Sequence, residues 1–274
     1  MGILDAPRFE LVPLPGALAE ARVLPRGSTV TVTASPARGL DATVSLAEAL
    51  AEVGHHTVPH LSARQIQDEA ELAMIVKRLQ YAGVTEVFVV GGDAGQPAGA
   101  FPDGLTLLRA LDGLRTPFQR VGVPAYPEGH PAIPREVLWS DLADKQRYAD
   151  YAVTQLCFDA DAICRFAAEA RRRGIETPLV AGVPGAVDTG RLLRISLKVG
   201  VGDSLKFVRR NASAARQLLR PRGYRPDGLV RKLAARVRDG RCSVEGLHIY
   251  TFNQIGATVG WLQDARRTRR RLAA

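Results

Sequence analysis

The chain has 274 residues, 46% of them hydrophobic, and a net charge of +9. That length can bury a large core without disulfide or metal staples, and the composition excludes a disordered chain. Its apolar runs are strand-sized, far short of the roughly 20 residues of a membrane helix. The start, Met1-Gly2-Ile3-Leu4-Asp5, has no basic region followed by an apolar core, so no secretory leader is expected. The three cysteines are Cys157, Cys164 and Cys242, and no CxxC or HExxH pattern occurs. Such a sparse set argues against a disulfide framework and a zinc site, and for a reducing, cytoplasmic setting. Cys157 and Cys164 read as small core residues. Arg266, Arg267, Arg269, Arg270 and Arg271 crowd into the C-terminus. This basic tail, at about 265–274, reads as the solvated end of a helix; the remaining Arg are scattered, unlike a nucleic-acid-binding face.

In chain order, short β-rich runs alternate with helical stretches. Strands are predicted at Phe9–Pro13, Thr29–Ala34, Thr57–Leu61, Glu86–Gly91, Arg120–Tyr126, Tyr151–Phe158, Pro178–Val183 and Leu247–Phe252. Helical spacing predicts helices over Thr43–Val53, Ala63–Ala82, Asp103–Leu111, Asp159–Arg173, Ser204–Leu219, Gly228–Arg238 and Ile255–Arg267. Eight strand–helix units in this length are the arithmetic of an α/β (β/α)8 TIM barrel, expected as a single domain over 1–274. The alternative, an open doubly wound sheet, usually shows GxGxxG after its first strand, and none follows Phe9–Pro13.

In such a barrel, polar residues at strand C-terminal ends face the active site. Glu10 interrupts an apolar strand and needs a polar cavity or solvent. Val89-Val90-Gly91-Gly92-Asp93 ends the fourth strand with glycines that allow close backbone approach and an acid at the mouth. Thr154-Gln155 lies inside the predicted sixth strand, where a buried Gln could read the edge of a heterocycle. His60 ends the third strand. Ala125-Tyr126-Pro127-Glu128-Gly129-His130-Pro131 follows the fifth and is too rich in polar and aromatic groups for an ordinary turn.

These pieces, with Phe158-Asp159, Gly182-Val183-Pro184 and His248-Ile249-Tyr250-Thr251-Phe252-Asn253, occur in an order that resembles the methylenetetrahydrofolate reductase family. The resemblance runs from about Phe9 to Gly260. It implies a TIM-barrel oxidoreductase of one-carbon metabolism and methionine biosynthesis that reduces 5,10-methylenetetrahydrofolate to 5-methyltetrahydrofolate with NADH or NADPH. By the same resemblance Glu10 and Asp93 are catalytic, as acid and as cation stabiliser. Asp93, Gln155, Phe158, Tyr250 and Gln254 bind substrate, and Thr33, His60, Gly92, Tyr126 and His130 line the cofactor side. Most members carry FAD, while related reductases on this barrel lack it and transfer hydride directly. Of four departures, one is Gln254, where an Arg often follows the Asn and contacts substrate, and three fall on the flavin side. Ala34-Ser35-Pro36-Ala37 replaces a Tyr-Gly-Ala-type loop, Gly91 replaces an Arg, and a shortened segment after His130-Pro131 leaves Lys145 as a possible remnant of a basic position. The reading is therefore a flavin-independent reductase using NADH, with a conventional FAD enzyme as the alternative and a non-catalytic folate-binding barrel as a lesser one. No metal, nucleic-acid or membrane partner is expected, and no C-terminal regulatory domain.

Overall fold

A computed structural model describes residues 2–114, 116, 118–188, 190 and 223–273. Eight parallel strands close into a barrel in sequence order: β1 (Arg8–Leu11), β2 (Thr29–Val32), β3 (His56–Ser62), β4 (Glu86–Val90), β5 (Arg120–Ala125), β6 (Tyr151–Thr154), β7 (Leu179–Pro184) and β8 (Gly246–Tyr250). Around it lie helices α1 (Ala17–Ala21), α2 (Gly39–Glu52), α3 (Glu69–Tyr81), α4 (Gly104–Gly113), α5 (Arg135–Lys145), α6 (Ala160–Arg172), α7 (Asp227–Arg238) and α8 (Ile255–Ala273). The expected (β/α)8 barrel is thus the observed one. The helix expected over Ser204–Leu219 lies outside the described residues.

The strand pattern builds two cores, because successive side chains point to opposite faces. Phe9, Leu11, Val30 and Val32 face the helices in the main cluster. Val58, Phe88, Tyr151, Val153 and Val180 form a separate cluster inside the barrel. At the strand N-termini this interior ends in an ion cluster. Arg8 Nη1 donates to Glu86 Oε1 at 2.6 Å and to the Tyr151 hydroxyl at 3.2 Å, and His56 Nε2 lies 2.8 Å from Glu86 Oε2. The opposite, C-terminal face is left for a binding site.

Several local expectations are corrected. The helix expected over Ala63–Ala82 is broken into a 3-10 turn (Ala63–Gln65) and α3, because the Asp68 side chain accepts from Glu71 N and caps a new N-terminus. Strand β6 stops at Thr154 rather than Phe158. The segment after His130 forms α5, whose Trp139 stacks on Phe166 at 4.5 Å. Cys164 does not sit as a lone core thiol. It is disulfide-bonded to Cys242 across 78 residues, tying α6 to the segment between α7 and β8, while Cys157 stays free and buried. The tail is not wholly solvated either. Arg266 is half-buried and donates to the Leu4 and Asp5 carbonyls, holding the chain just before β1.

Candidate functional site

Strand register decides which polar groups meet. Arg8 and Glu10 alternate with Phe9 and Leu11, so both point into the barrel; Glu10 is level with Thr31 on β2 and Tyr250 on β8. Its side chain is only 12% exposed. Burial penalises the carboxylate and raises its pKa to about 7, opposed by the nearby His60. At neutral pH this carboxyl is about half protonated, the state a general acid needs.

The β8 motif surrounds this acid. His248 Nε2 lies 3.1 Å from Glu10 Oε2. Thr251 Oγ1 donates to the Glu10 carbonyl at 2.5 Å. Asn253 pairs with Val12 through both amide atoms, accepting from its N–H at 2.8 Å and donating to its carbonyl at 2.9 Å. Phe252 and Asn253 adopt consecutive left-handed conformations, φ 50° and 53°, which turn the chain sharply enough to reach β1. Tyr250 packs its edge on His248 and donates to the Thr154 carbonyl at 3.2 Å. Burial first, then Glu10 and Tyr126, raise the Tyr250 phenol well above its ordinary pKa.

On the other wall, His60 stacks on Phe88 at 4.6 Å, and burial lowers its pKa to about 4, so it is neutral. His60 Nε2, Thr31 Oγ1, Thr33 Oγ1 and Ser62 Oγ are buried without a hydrogen-bond partner among the described residues, a polar strip along β3, β2 and the residue after β2. Buried polar atoms are rarely left unpaired, so the strip suits a ligand with its own donors and acceptors. Gly92 adopts φ 95°, and a Cβ there would overlap Ser62 Oγ. It gives way to that hydroxyl and turns the chain into Asp93, which is exposed. Asp93 is near enough to Tyr126 to help raise its pKa to about 12, behind burial as the main cause. The loop is held from β3: Arg64 donates to the carbonyls of Ala94 (2.7 Å), Gly95 (2.8 Å) and Pro102 (3.0 Å). Tyr126 meets His130 edge-on at 5.5 Å, and His130 Nδ1 accepts from Ala132 N.

Three expected residues sit differently from the sequence reading. Gln155 is exposed, just past the end of β6. Its Oε1 accepts from Leu156 N at 2.8 Å, and its amide nitrogen has no partner among the described residues. Gln254 is buried and spans the Asp188 backbone, accepting from its N–H at 2.7 Å and approaching its carbonyl at 3.5 Å. It therefore braces the loop after β7. Phe158 is half-buried and packs edge-on against Tyr224 at 5.4 Å. Sequence reasoning missed His248 and Arg64 as site organisers. His248 stood in the quoted β8 motif, while Arg64 gave no local signal because its partners lie about 30 residues away.

The flavin side can be tested on Lys145. Its side chain is 6% exposed and its Nζ sits 2.5 Å from Asp141 Oδ2. The charge is neutralised within α5. The rest of that helix buries Trp139 and Leu142 against the core.

Among the described residues, no group of three or more His, Cys, Asp or Glu could hold a metal, and no helix is long and apolar enough to cross a membrane. Comparison with known proteins points one way. The chain is 24% identical over 232 residues to methylenetetrahydrofolate reductase (NADH) 1 of Zea mays, covering 76% of this chain and 37% of that protein. It is 23% identical to methylenetetrahydrofolate reductase 2 of Saccharomyces cerevisiae, over 73% and 34%. It is 22% identical to a probable methylenetetrahydrofolate reductase (NADPH) of Caenorhabditis elegans, over 74% and 31%. The chain thus spans about a third of the length of these relatives. A solved tryptophan synthase from M. tuberculosis overlays 96% of this chain and 89% of its own at 12% identity and TM-score 0.48, too loosely to carry an argument. The family pattern itself matches residues 18–265, starting after β1, so Glu10 is placed by barrel register rather than by that match. With that match over most of its length on a closed eight-stranded barrel, the chain belongs to the methylenetetrahydrofolate reductase family.

Proposed function

We propose that this chain forms a catalytic barrel that reduces 5,10-methylenetetrahydrofolate to 5-methyltetrahydrofolate, taking hydride directly from NADH or NADPH without flavin. The observation that carries the reading is the buried carboxyl of Glu10 inside the barrel, with its pKa raised to about 7. The nicotinamide supplies the hydride; the other steps fall to side chains. Glu10 gives its proton to N10 as the N10–methylene bond opens, leaving an iminium on N5. Asp93 places fixed negative charge beside that cation, and charge set in advance where the cation develops lowers the barrier. Hydride addition to the methylene carbon then completes the methyl group. Gln155 holds the pterin edge with its free amide nitrogen, and Phe158 and Tyr250 flank it. Thr33, His60, Gly92, Tyr126 and His130 form the nicotinamide side, where the unpartnered polar strip supplies hydrogen bonds. Holding donor and acceptor carbons about 3–3.5 Å apart replaces a flavin relay with orientation.

The commitment of Lys145 to Asp141 supports the flavin-free form. The test is the visible spectrum of the purified protein, followed by methylenetetrahydrofolate-dependent NADH oxidation without added FAD. A colourless protein with intersecting initial-rate lines is expected. A yellow protein with ping-pong kinetics would overturn direct transfer, and absence of the reaction with either nicotinamide would overturn the substrate assignment.

A further inference from the structure

We propose that His248 is the positioning residue of the site acid: its neutral imidazole donates Nε2–H to Glu10 Oε2, so that the carboxyl proton is carried on Oε1. The proposal rests on the reading of Glu10 as the proton donor. Glu10 Oε2 has His248 Nε2 at 3.1 Å, while Oε1 has no partner among the described residues. A carboxyl with one oxygen fixed presents the other in a defined direction. A free carboxyl would rotate and share its proton between both.

The direction of the bond follows from what surrounds the ring. His248 Nδ1 is buried with no partner among the described residues. A proton there would be a buried donor without an acceptor, whereas a proton on Nε2 meets Glu10. Arg8 is the register neighbour of His248 on β1, and its charge together with burial keeps the imidazole from taking a second proton. The groups facing this pair are Arg8 on β1, His60 on β3 and Tyr250 on β8, with the hydroxyl of Thr31 on β2. Arg8 is the one charged group among them, since burial keeps His60 neutral and raises the Tyr250 phenol. The contact is therefore a hydrogen bond to the acid and not an ion pair. Thr251 and Asn253 fix the backbone of β1 from the same motif, so the ring and the carboxyl are held by one rigid corner.

A donor on the carboxylate favours its charged form, so losing it raises the Glu10 pKa further. In His248→Leu the descending limb of kcat/KM should move up by about one pH unit, and kcat at pH 6 should fall tenfold or more with little change in KM. His248→Gln keeps a donor of similar reach, so it should restore the limb and most of kcat. A loss confined to stability would move neither the limb nor the split between kcat and KM. Two readouts need no turnover. Nitrogen chemical shifts of wild-type protein with labelled histidine should show His248 as the neutral Nε2–H tautomer from pH 6 to 8. The carboxyl infrared band that disappears in Glu10→Gln reports the Glu10 pKa directly, and should rise with pH-shifted midpoint in His248→Leu. An imidazolium, an Nδ1–H tautomer, or a Glu10 band unmoved in His248→Leu would overturn the proposal, as would a Gln variant no better than Leu. If Glu10→Gln itself retains turnover, the acid assignment falls while the spectroscopic readouts still decide the pairing.

Discussion

In the proposed mechanism Glu10 works only while protonated, which gives its chemistry a sign. With a pKa near 7, kcat/KM should be level below neutrality and fall tenfold per pH unit well above it. Glu10→Gln should remove turnover while leaving folate binding, measured by fluorescence titration, within a few-fold of wild type. The acid at the other end of the barrel behaves oppositely. Burial alone would raise the Glu86 pKa, but the His56 hydrogen bond, the Arg8 charge and hydrogen bonds from Tyr151 and Arg8 outweigh it and hold it at about 2. A depressed folded-state pKa contributes stability that is present above the unfolded value of 4.5 and is lost as pH falls towards 2. Glu86→Gln should cost about 3–5 kcal/mol in urea unfolding at pH 7, because Arg8 is left buried without its counter-charge. It should also flatten the loss of stability between pH 4.5 and 2.

At the scale of elements, the site depends on loops held from neighbouring strands. Arg64, in the turn after β3, grips three carbonyls of the loop that carries Asp93. Arg64→Ala should speed amide exchange at Ala98 and Ala100, which pair with Arg64 and Gln67 carbonyls, and lower kcat about tenfold through misplaced Asp93. Lysine should not replace it, since an ammonium cannot reach three carbonyls with planar geometry. The Cys164–Cys242 disulfide closes a 78-residue separation around the barrel's last third. Its loss in Cys242→Ser should cost about 2–4 kcal/mol of unfolding free energy, by restoring freedom to the unfolded chain, and leave the kinetic pH profile unchanged.

At the scale of the whole molecule, termini and barrel are one mechanical unit. Arg266 on α8 donates to Leu4 and Asp5, four and three residues before β1 begins, and Trp261 Nε1 donates to Asp227 on α7. Part of the basic tail thus serves to anchor the strand that carries the acid. Arg266→Ala should lower the melting temperature by a few degrees, the effect of losing about 1–2 kcal/mol of charge-assisted hydrogen bonding. A net charge of +9 would favour the arrival of the anionic folate and nicotinamide substrates proposed above, so kcat/KM should fall as ionic strength rises.

What the sequence determined by itself was local. Alternation of period two against period 3.6 is written in each segment, and eight such units in 274 residues leave a closed parallel barrel as the economical answer. Glu10 and Asp93 stood out as candidates because an acid in or just after an apolar strand has few places to go. Tertiary structure decided what depends on two distant segments meeting. His248 reaches Glu10 across 238 residues because β8 closes the barrel beside β1. Gln155 was expected buried, yet β6 ends one residue earlier and leaves it at the rim. Gln254 was expected on substrate, and the structure pairs it with Asp188, 66 residues away. Cys164 was expected as a lone core thiol and found Cys242. In each case residue type and spacing define what a side chain can do, while register and barrel closure select the partner with which it does it.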